Sequence, residues 1–352
     1  MYRRKLLPTF LVFFCVNTYA QNKVNFEITL SETKTSHSLY NSIDLADTRT
    51  DTNSFGFVQT GAFNRNGKVV LQAPFAAELK RILGSLVDSA ASNGELLLQV
   101  RQFNFAETTG ALGEHGYCAI KAEMYAKKGT AYQKINAIDT LIHLRSSIDV
   151  TNKTLRAGSQ QLTAFIQSSL VIAPANDVVM YNYNDIAHID SVEKRALKVY
   201  NTTTYADGLY LTYNSFKKQV PDKGGVTVAN DYLFEGNVKA PDDKGKLRDV
   251  KLKKTYAIVY KGAPYIATAY GFYPLAKVND EFIFTGMAKT PPNPTSVMVA
   301  SAAFGLLGAL AVSVGDEGTY EMKIDHQNGS IIKLKEIPAP KATGTSRNDG
   351  WD

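Results

Sequence analysis

Five histidines and a scatter of carboxylates are the residues of this 352-residue chain best suited to moving protons or holding metal ions. His37, His115, His143, His188 and His326 stand singly, so the zinc-protease pair of histidines four apart is absent. His115 has the richest surroundings. It follows Glu107 and Glu114 in the run ETTGALGEHG, where a carboxylate and an imidazole could share a proton or a metal ion. The competing reading of that run is a polar hairpin loop whose glycines supply turn geometry. Glu107, Glu114 and His115 are therefore the candidate metal ligands, and no residue is assigned as catalytic.

The other chemical signatures are poorer. No serine sits between two glycines in the spacing of a nucleophile elbow, and no phosphate loop ends in Gly-Lys-Ser or Gly-Lys-Thr. No cofactor is expected on these grounds. Ser-x-x-Lys occurs at Ser31–Lys34, Ser191–Lys194, Ser215–Lys218 and Ser330–Lys333, without the accompanying Ser-Asp-Asn or Lys-Thr-Gly. Asp47, Asp51 and Asn53 lack the ordered spacing and terminal acid of a calcium loop. The densest positive run is Lys244, Lys246, Arg248, Lys251, Lys253 and Lys254, interrupted by Asp249. Lys246, Arg248, Lys251, Lys253 and Lys254 are the candidates for contact with anionic lipid headgroups or glycan phosphates. Alternating lysines also keep an exposed strand edge from pairing wrongly.

The start of the chain predicts the compartment. Arg3, Arg4 and Lys5 precede an apolar stretch over residues 6–16, and Asn17, Thr18, Tyr19 and Ala20 end it on a small residue. That order is the one found in cleavable export leaders, and the stretch is shorter than the roughly 20 residues a membrane-spanning helix needs. Residues 1–20 are read as a signal peptide. Phe13 and Phe14 before Cys15 argue against lipidation there. Cys118 is then the single thiol of the mature protein, so stability must come from a packed core. Of 39 basic and 33 acidic residues, three basic ones leave with the leader, giving 36 against 33, or +3. No clustered basic face of the nucleic-acid-binding kind follows from that excess.

The elements beyond the leader predict an α+β fold. An N-terminal sheet carries two helices packed on it, over residues 21–174. A linker at 175–184 leads to a β-rich antiparallel domain at 185–337, and a disordered tail closes the chain at 338–352. In the first part, Val24, Phe26, Ile28 and Leu30 alternate like a half-buried strand, 31–53 reads as a loop and 55–71 as a hairpin. Phe75, Leu79, Ile82, Leu86 and Ala90 after Pro74 predict one helix, and Leu155, Leu162, Phe165, Ile166 and Leu170 a second. Between them, 95–105, 117–127 and 132–144 are strands. Cys118, Ile120, Ala122, Met124 and Ala126 turn one way in the middle strand, with Lys121, Glu123 and Lys127 the other. This order of elements resembles small envelope accessory domains, such as lipopolysaccharide-assembly and transporter-auxiliary lipoproteins, a likeness of topology alone.

In the second part, Ile186, Ile189, Val192, Ala196 and Leu197 suggest a short helix. Strands are expected at 209–212, 226–234, 247–260, 265–272 and 281–287, and an Asn328-Gly329 turn joins a final hairpin of 320–324 and 331–337. Many tyrosines, including Tyr210, Tyr213 and Tyr256, are read chiefly as sheet packing, with sugar or peptide binding as the other use of such rings. The stretches YADGLYLTYNSFKKQVPD and YAIVYKGAPYIATAYGFYPL resemble a module of exported, uncharacterised envelope proteins of Gram-negative bacteria, particularly the Bacteroidota. The resemblance covers roughly the second half and implies a location more than an activity.

Residues 296–315 contain no charge. As a helix they would span about 30 Å, enough for a hydrocarbon core. Their Ala, Gly and Ser content makes insertion marginal, and Phe304, Gly305 and Gly308 would allow close packing with a membrane or protein partner. A buried helix or helical hairpin, a membrane-inserted segment and strands all remain open. The function expected is that of an exported, non-enzymatic envelope accessory or binding protein, with an envelope protein or lipid surface as partner. The alternatives are a membrane-anchored complex component using 296–315, and a hydrolase of envelope polymers.

Overall fold

The computed structural model describes residues 22–61, 65–110, 113–147, 149–176, 179–231, 233, 236–289 and 317–338. The expected leader at 1–20, the apolar segment at 296–315 with Phe304, Gly305 and Gly308, and residues 339–352 of the expected tail lie outside the described residues.

The first half builds an eight-stranded sheet from β1 (Asn22–Phe26), β2 (Tyr40–Asp47), β3 (Gly56–Thr60), β4 (Arg65–Leu71), β5 (Gly94–Gly110), β6 (Gly113–Lys128), β7 (Ala131–Ser146) and β8 (Met180–Tyr181). The order is β1-β4-β3-β5-β6-β7-β8, and β2 pairs in parallel with the first part of β5. One face is covered by two helices, α1 (Phe75–Leu86) and α2 (Val150–Ser169). The alternation read from β6 holds: Cys118, Ile120, Ala122, Met124 and Ala126 enter the core that both helices seal. Asp149 starts α2 by accepting the Asn152 amide hydrogen. Gly158 lets α2 settle onto the sheet, since a Cβ there would stand 2.5 Å from Cys118 Sγ and 2.6 Å from Phe105 Cε1. α1 stops before Ala90 because Val87 turns extended and bridges Thr35.

Three expectations for this half change. The presumed loop at 31–53 holds β2, whose buried residues Tyr40, Ile43 and Ala46 fall at every third position and so hide the period of two. The presumed loop around His115 is ladder, paired from Glu107↔Gly116 to Gly110↔Gly113. Met180 and Tyr181, in the presumed linker, pair with β7 as β8.

The second half is β-rich and antiparallel. α3 (Tyr183–Ala187), α4 (Ile189–Ala196) and α5 (Lys198–Asn201) lead into it. β9 (Gly208–Tyr210) is followed by α6 (Tyr213–Lys218), where a strand to 212 was expected; Thr212 and Ser215 form a capping box that turns the chain helical. A small sheet contains β10 (Thr227–Val228), β11 (Val238–Pro241) and β12 (Leu247–Asp249). A second, ordered β15-β14-β13-β9, adds β13 (Ala257–Tyr260), β14 (Ala263–Thr268) and β15 (Gly271–Pro274). The expected strand at 247–260 is thus two strands separated by a 3-10 turn at Leu252–Lys254. The third sheet joins β16 (Ala276–Val278), β17 (Glu281–Lys289), β18 (Glu317–Ile324) and β19 (Ile331–Ile337) in sequence order.

Tyr200, Tyr210, Tyr213, Phe216, Phe282, Phe284 and Tyr320 form the core beneath these sheets, which is the packing role expected of the tyrosines. The Asn-Gly turn joins β18 and β19 as anticipated. Gly329 has φ +79° and a Cβ there would lie 2.2 Å from the Tyr213 ring, so glycine is required twice over. Tyr213 and Tyr256 hydroxyls donate to the carbonyls of His326 and Gly329, at 2.6 and 2.8 Å, and fix the turn in place. β17 and β18 pair from Ile283↔Lys323 out to the rung Lys289↔Glu317.

Candidate functional site

Charged groups converge on the sheet face turned away from α1 and α2. Lys121 and Glu123 lie on the face expected of them, opposite Cys118, and are drawn under the second half: Glu123 is buried and Lys121 Nζ lies 3.3 Å from Asp325 Oδ2. Lys127 does stay exposed, paired with Glu95 at 2.5 Å. A β-bulge organises the centre. Val100 faces Ala122 and Gln102 faces Lys121, leaving Arg101 as the extra residue whose side chain is re-aimed.

Arg101 reaches α4, which carries Asp190 and Glu193 three residues apart on one face. Its Nη1 and Nη2 donate to the two Glu193 oxygens at 2.8 and 2.7 Å, and Nη1 also donates to Asp190 at 2.9 Å. Glu193 Oε2 accepts from Gln327 Nε2 at 3.0 Å and lies 2.8 Å from His326 Nε2. On the sheet side, Glu123 lies 3.6 Å from Arg101, accepts the Tyr125 hydroxyl, and is reached by Lys134 at 3.2 Å. The network therefore runs from β7 through β5 and β6 to α4 and the β18–β19 turn.

Burial alone would raise the Glu193 pKa, but hydrogen bonds from His326 and Arg101 outweigh it and hold the carboxyl far below the usual carboxylate range. Burial alone would lower that of Arg101, and Glu193 more than reverses it. Asp190, Glu193 and His326 bring one ligand atom each within 4.8 Å of one another, the spacing of a metal site. The Arg101 guanidinium already occupies both carboxylates, so a cation would have to displace a two-pronged partner. The chemistry of the cluster is that of a lock between two parts of the chain. Beside it opens a cleft of roughly 380 Å³, lined by Arg49, Lys121 and Lys323 against Asp51, Glu281 and Asp325. Ile324, Ile332 and Leu334 complete its walls beside these charges.

The three candidate ligands are not gathered. Glu107 faces the helices and is buried; it accepts the Thr151 hydroxyl in the first turn of α2 and the Gln59 amide at 3.4 Å, and burial raises its pKa. Glu114 shares that face through its rung with Thr109. His115 is offset by one residue and faces the other way, so the carboxylate–imidazole site does not form. On its own face His115 meets His143, with Nδ1 3.0 Å from Nε2. The Tyr117 ring stacks on His143 at 4.5 Å between centroids, the planes within 4°. Burial, then the charge of His115, keeps the His143 pKa below the usual imidazole range.

Cys118 has the core place expected of it, and burial pushes its thiol up. Asp47 is taken by Arg49 through two hydrogen bonds of 2.9 and 2.8 Å. Among the Ser-x-x-Lys repeats, Ser31 donates to the Thr33 carbonyl, Ser215 to the Thr212 carbonyl, and Lys194 pairs with Glu281 at 2.8 Å. Of the basic run, Lys246, Lys251, Lys253 and Lys254 are exposed around β12, an edge strand, and exposed Arg248 pairs with Asp242 at 3.0 Å. Sequence reading missed Arg101, Asp190, Glu193 and His143. The i,i+3 acid pair was visible in the sequence; the bulge that brings Arg101 to it was not.

Fold and cluster together define an α+β protein in which the sheet face turned away from α1 and α2 is tied by ion pairs to α4 and the β-rich second half. No family model matches the chain. No curated protein matches it either. Among solved structures it is similar to XCC0632 from Xanthomonas campestris, described with the family model DUF330, at 12% identity, covering 41% of this chain and 91% of that one with a TM-score of 0.27. It is also similar to a structure described as an uncharacterized protein, at 14% identity, covering 42% and 98% with a TM-score of 0.25. Likenesses at these scores carry no argument about function.

Proposed function

We propose that this chain is an exported accessory or binding protein of a Gram-negative cell envelope, acting without catalysis. The observation carrying this reading is the Arg101–Glu193–His326 network. Its charges answer one another across α4, the sheet and the terminal hairpin, as in a rigid scaffold, where a proton-transfer centre would hold a group poised to change state. The leader over residues 1–20 and the envelope-protein resemblance support export. The lysines around β12 offer the surface for an anionic partner, each adding about 1 kcal/mol beside a negative headgroup layer.

Two measurements test the reading. Expressed in a Gram-negative host, the protein is expected in the envelope or periplasmic fraction with its N-terminus at Gln21; cytosolic molecules retaining Met1 would overturn export. The purified protein is expected to sediment with vesicles containing anionic lipid at low salt, and Lys251→Glu/Lys253→Glu/Lys254→Glu to abolish that binding. Equal binding by both forms removes the basic surface from the proposal. The rival, a component anchored through 296–315, is separated by the same fractionation, since it requires detergent for release.

A further inference from the structure

We propose that His115 and His143 form a surface site for a divalent d-block cation, Cu(II) foremost, on the sheet face opposite α1 and α2. The site does not depend on the accessory role proposed above. Imidazole–metal bonds are about 2.0–2.1 Å long, so two of them meeting at roughly 90–110° hold their nitrogens about 2.9–3.4 Å apart. His115 Nδ1 and His143 Nε2 stand 3.0 Å apart, at that bite, with the ring planes within 14°; they now share a hydrogen bond, and a cation takes its place once both nitrogens are in the unprotonated tautomer.

The two rings occupy a diagonal across neighbouring strands, because His115 faces Arg145 and His143 faces Tyr117. Paired strands place side chains more firmly than loops do. Tyr117 adds orientation: its ring lies flat against His143, and its hydroxyl is hydrogen-bonded to Thr108. His143 is exposed and His115 half-buried, so the remaining coordination positions open to water. Two neutral imidazoles select borderline cations such as Zn(II), Ni(II) and Cu(II), with Cu(II) held most tightly, and offer nothing to Ca(II) or Mg(II), which seek oxygen. Arg145 across from His115 sets a positive charge beside the site and restrains its affinity.

The purified full chain, stripped with chelator and titrated with Cu(II) alone, is expected to take up one equivalent at this site. Its electron paramagnetic resonance spectrum should carry splittings from two imidazole nitrogens. His115→Ala and His143→Ala are each expected to weaken uptake by at least about ten-fold, since loss of an outer-shell partner alone costs about 10–100-fold. His188→Ala, outside the pair, should leave it unchanged. The exposed position of His143 lets it be replaced without disturbing the fold, which far-ultraviolet circular dichroism checks. No saturable uptake, a one-nitrogen spectrum, or equal affinity in His143→Ala would overturn the site.

Discussion

Arg101→Met is expected to lower stability by about 3 kcal/mol, measured by urea unfolding, because it strands carboxylates that the guanidinium now neutralises. The cost is unevenly spread. Asp190, 61% exposed at its side chain, is rehydrated at little cost, whereas Glu193 at 28% and Glu123 at 12% are not. Glu193 keeps His326 and Gln327, and Glu123 keeps Lys134 and Tyr125, which places the figure at the lower end for a broken buried pair. Removing the partner as well should recover much of the loss, so Arg101→Met/Glu193→Leu is expected to be more stable than Arg101→Met alone. Additive losses would show that the two side chains do not act as a pair. A pH dependence follows too. Glu193 has a folded pKa below its unfolded value of about 4.3, so it stabilises above that pH and the contribution fades as acidification approaches the folded value. The acid limb of the stability profile should be shallower in Arg101→Met.

Phe103→Ala should cost about 3–5 kcal/mol. Phe103 is fully buried, and its ring meets Phe26, Phe55, Phe75 and Phe105 at centroid separations of 5.8, 5.4, 6.1 and 5.3 Å. These four come from β1, the approach to β3, the start of α1 and β5 itself, so one ring joins most of the layers over the first sheet. Edge-on contacts between rings add about 0.5–1.5 kcal/mol each beyond burial, which puts this position among the costliest in the core. Phe103→Leu, keeping most of the volume, should lose much less. A loss below about 1 kcal/mol in the alanine variant would mean the site collapses to fill the gap. Because Arg101 lies two residues away on the same strand, the pair of variants also separates core from junction: Arg101→Met should loosen the second half first, Phe103→Ala the helix-covered sheet.

What the sequence made legible follows from which features are local. The helices starting near Pro74 and ending near Pro174, the inward face of β6 and the Asn328-Gly329 turn rest on periodicity and turn chemistry, and all are found. β2 was hidden because its buried residues recur at intervals of three. The helix α6 was hidden because Leu209 to Thr212 read as strand, and the Thr212–Ser215 capping box that turns the chain helical was not recognised. The sites depend on register, and register depends on bulges. Counted back from the Lys128↔Ala131 rung without interruption, His143 would fall opposite Gly116 and point away from His115. The extra residue Ile135 shifts β7 by one and puts His143 opposite Tyr117, beside His115. Arg101 depends on a second bulge in the same way. Neither bulge has a glycine or proline to announce it, so pattern reading found His115 and supplied the wrong partners.

The rung Lys289↔Glu317 also bears on the uncharged residues that follow Lys289. Strands locked together at that point make the polypeptide depart and come back through a single doorway, whatever route it takes outside. The hairpin that begins at Glu317 therefore takes up the sheet where Lys289 leaves it, with the chain's exit and its return held side by side.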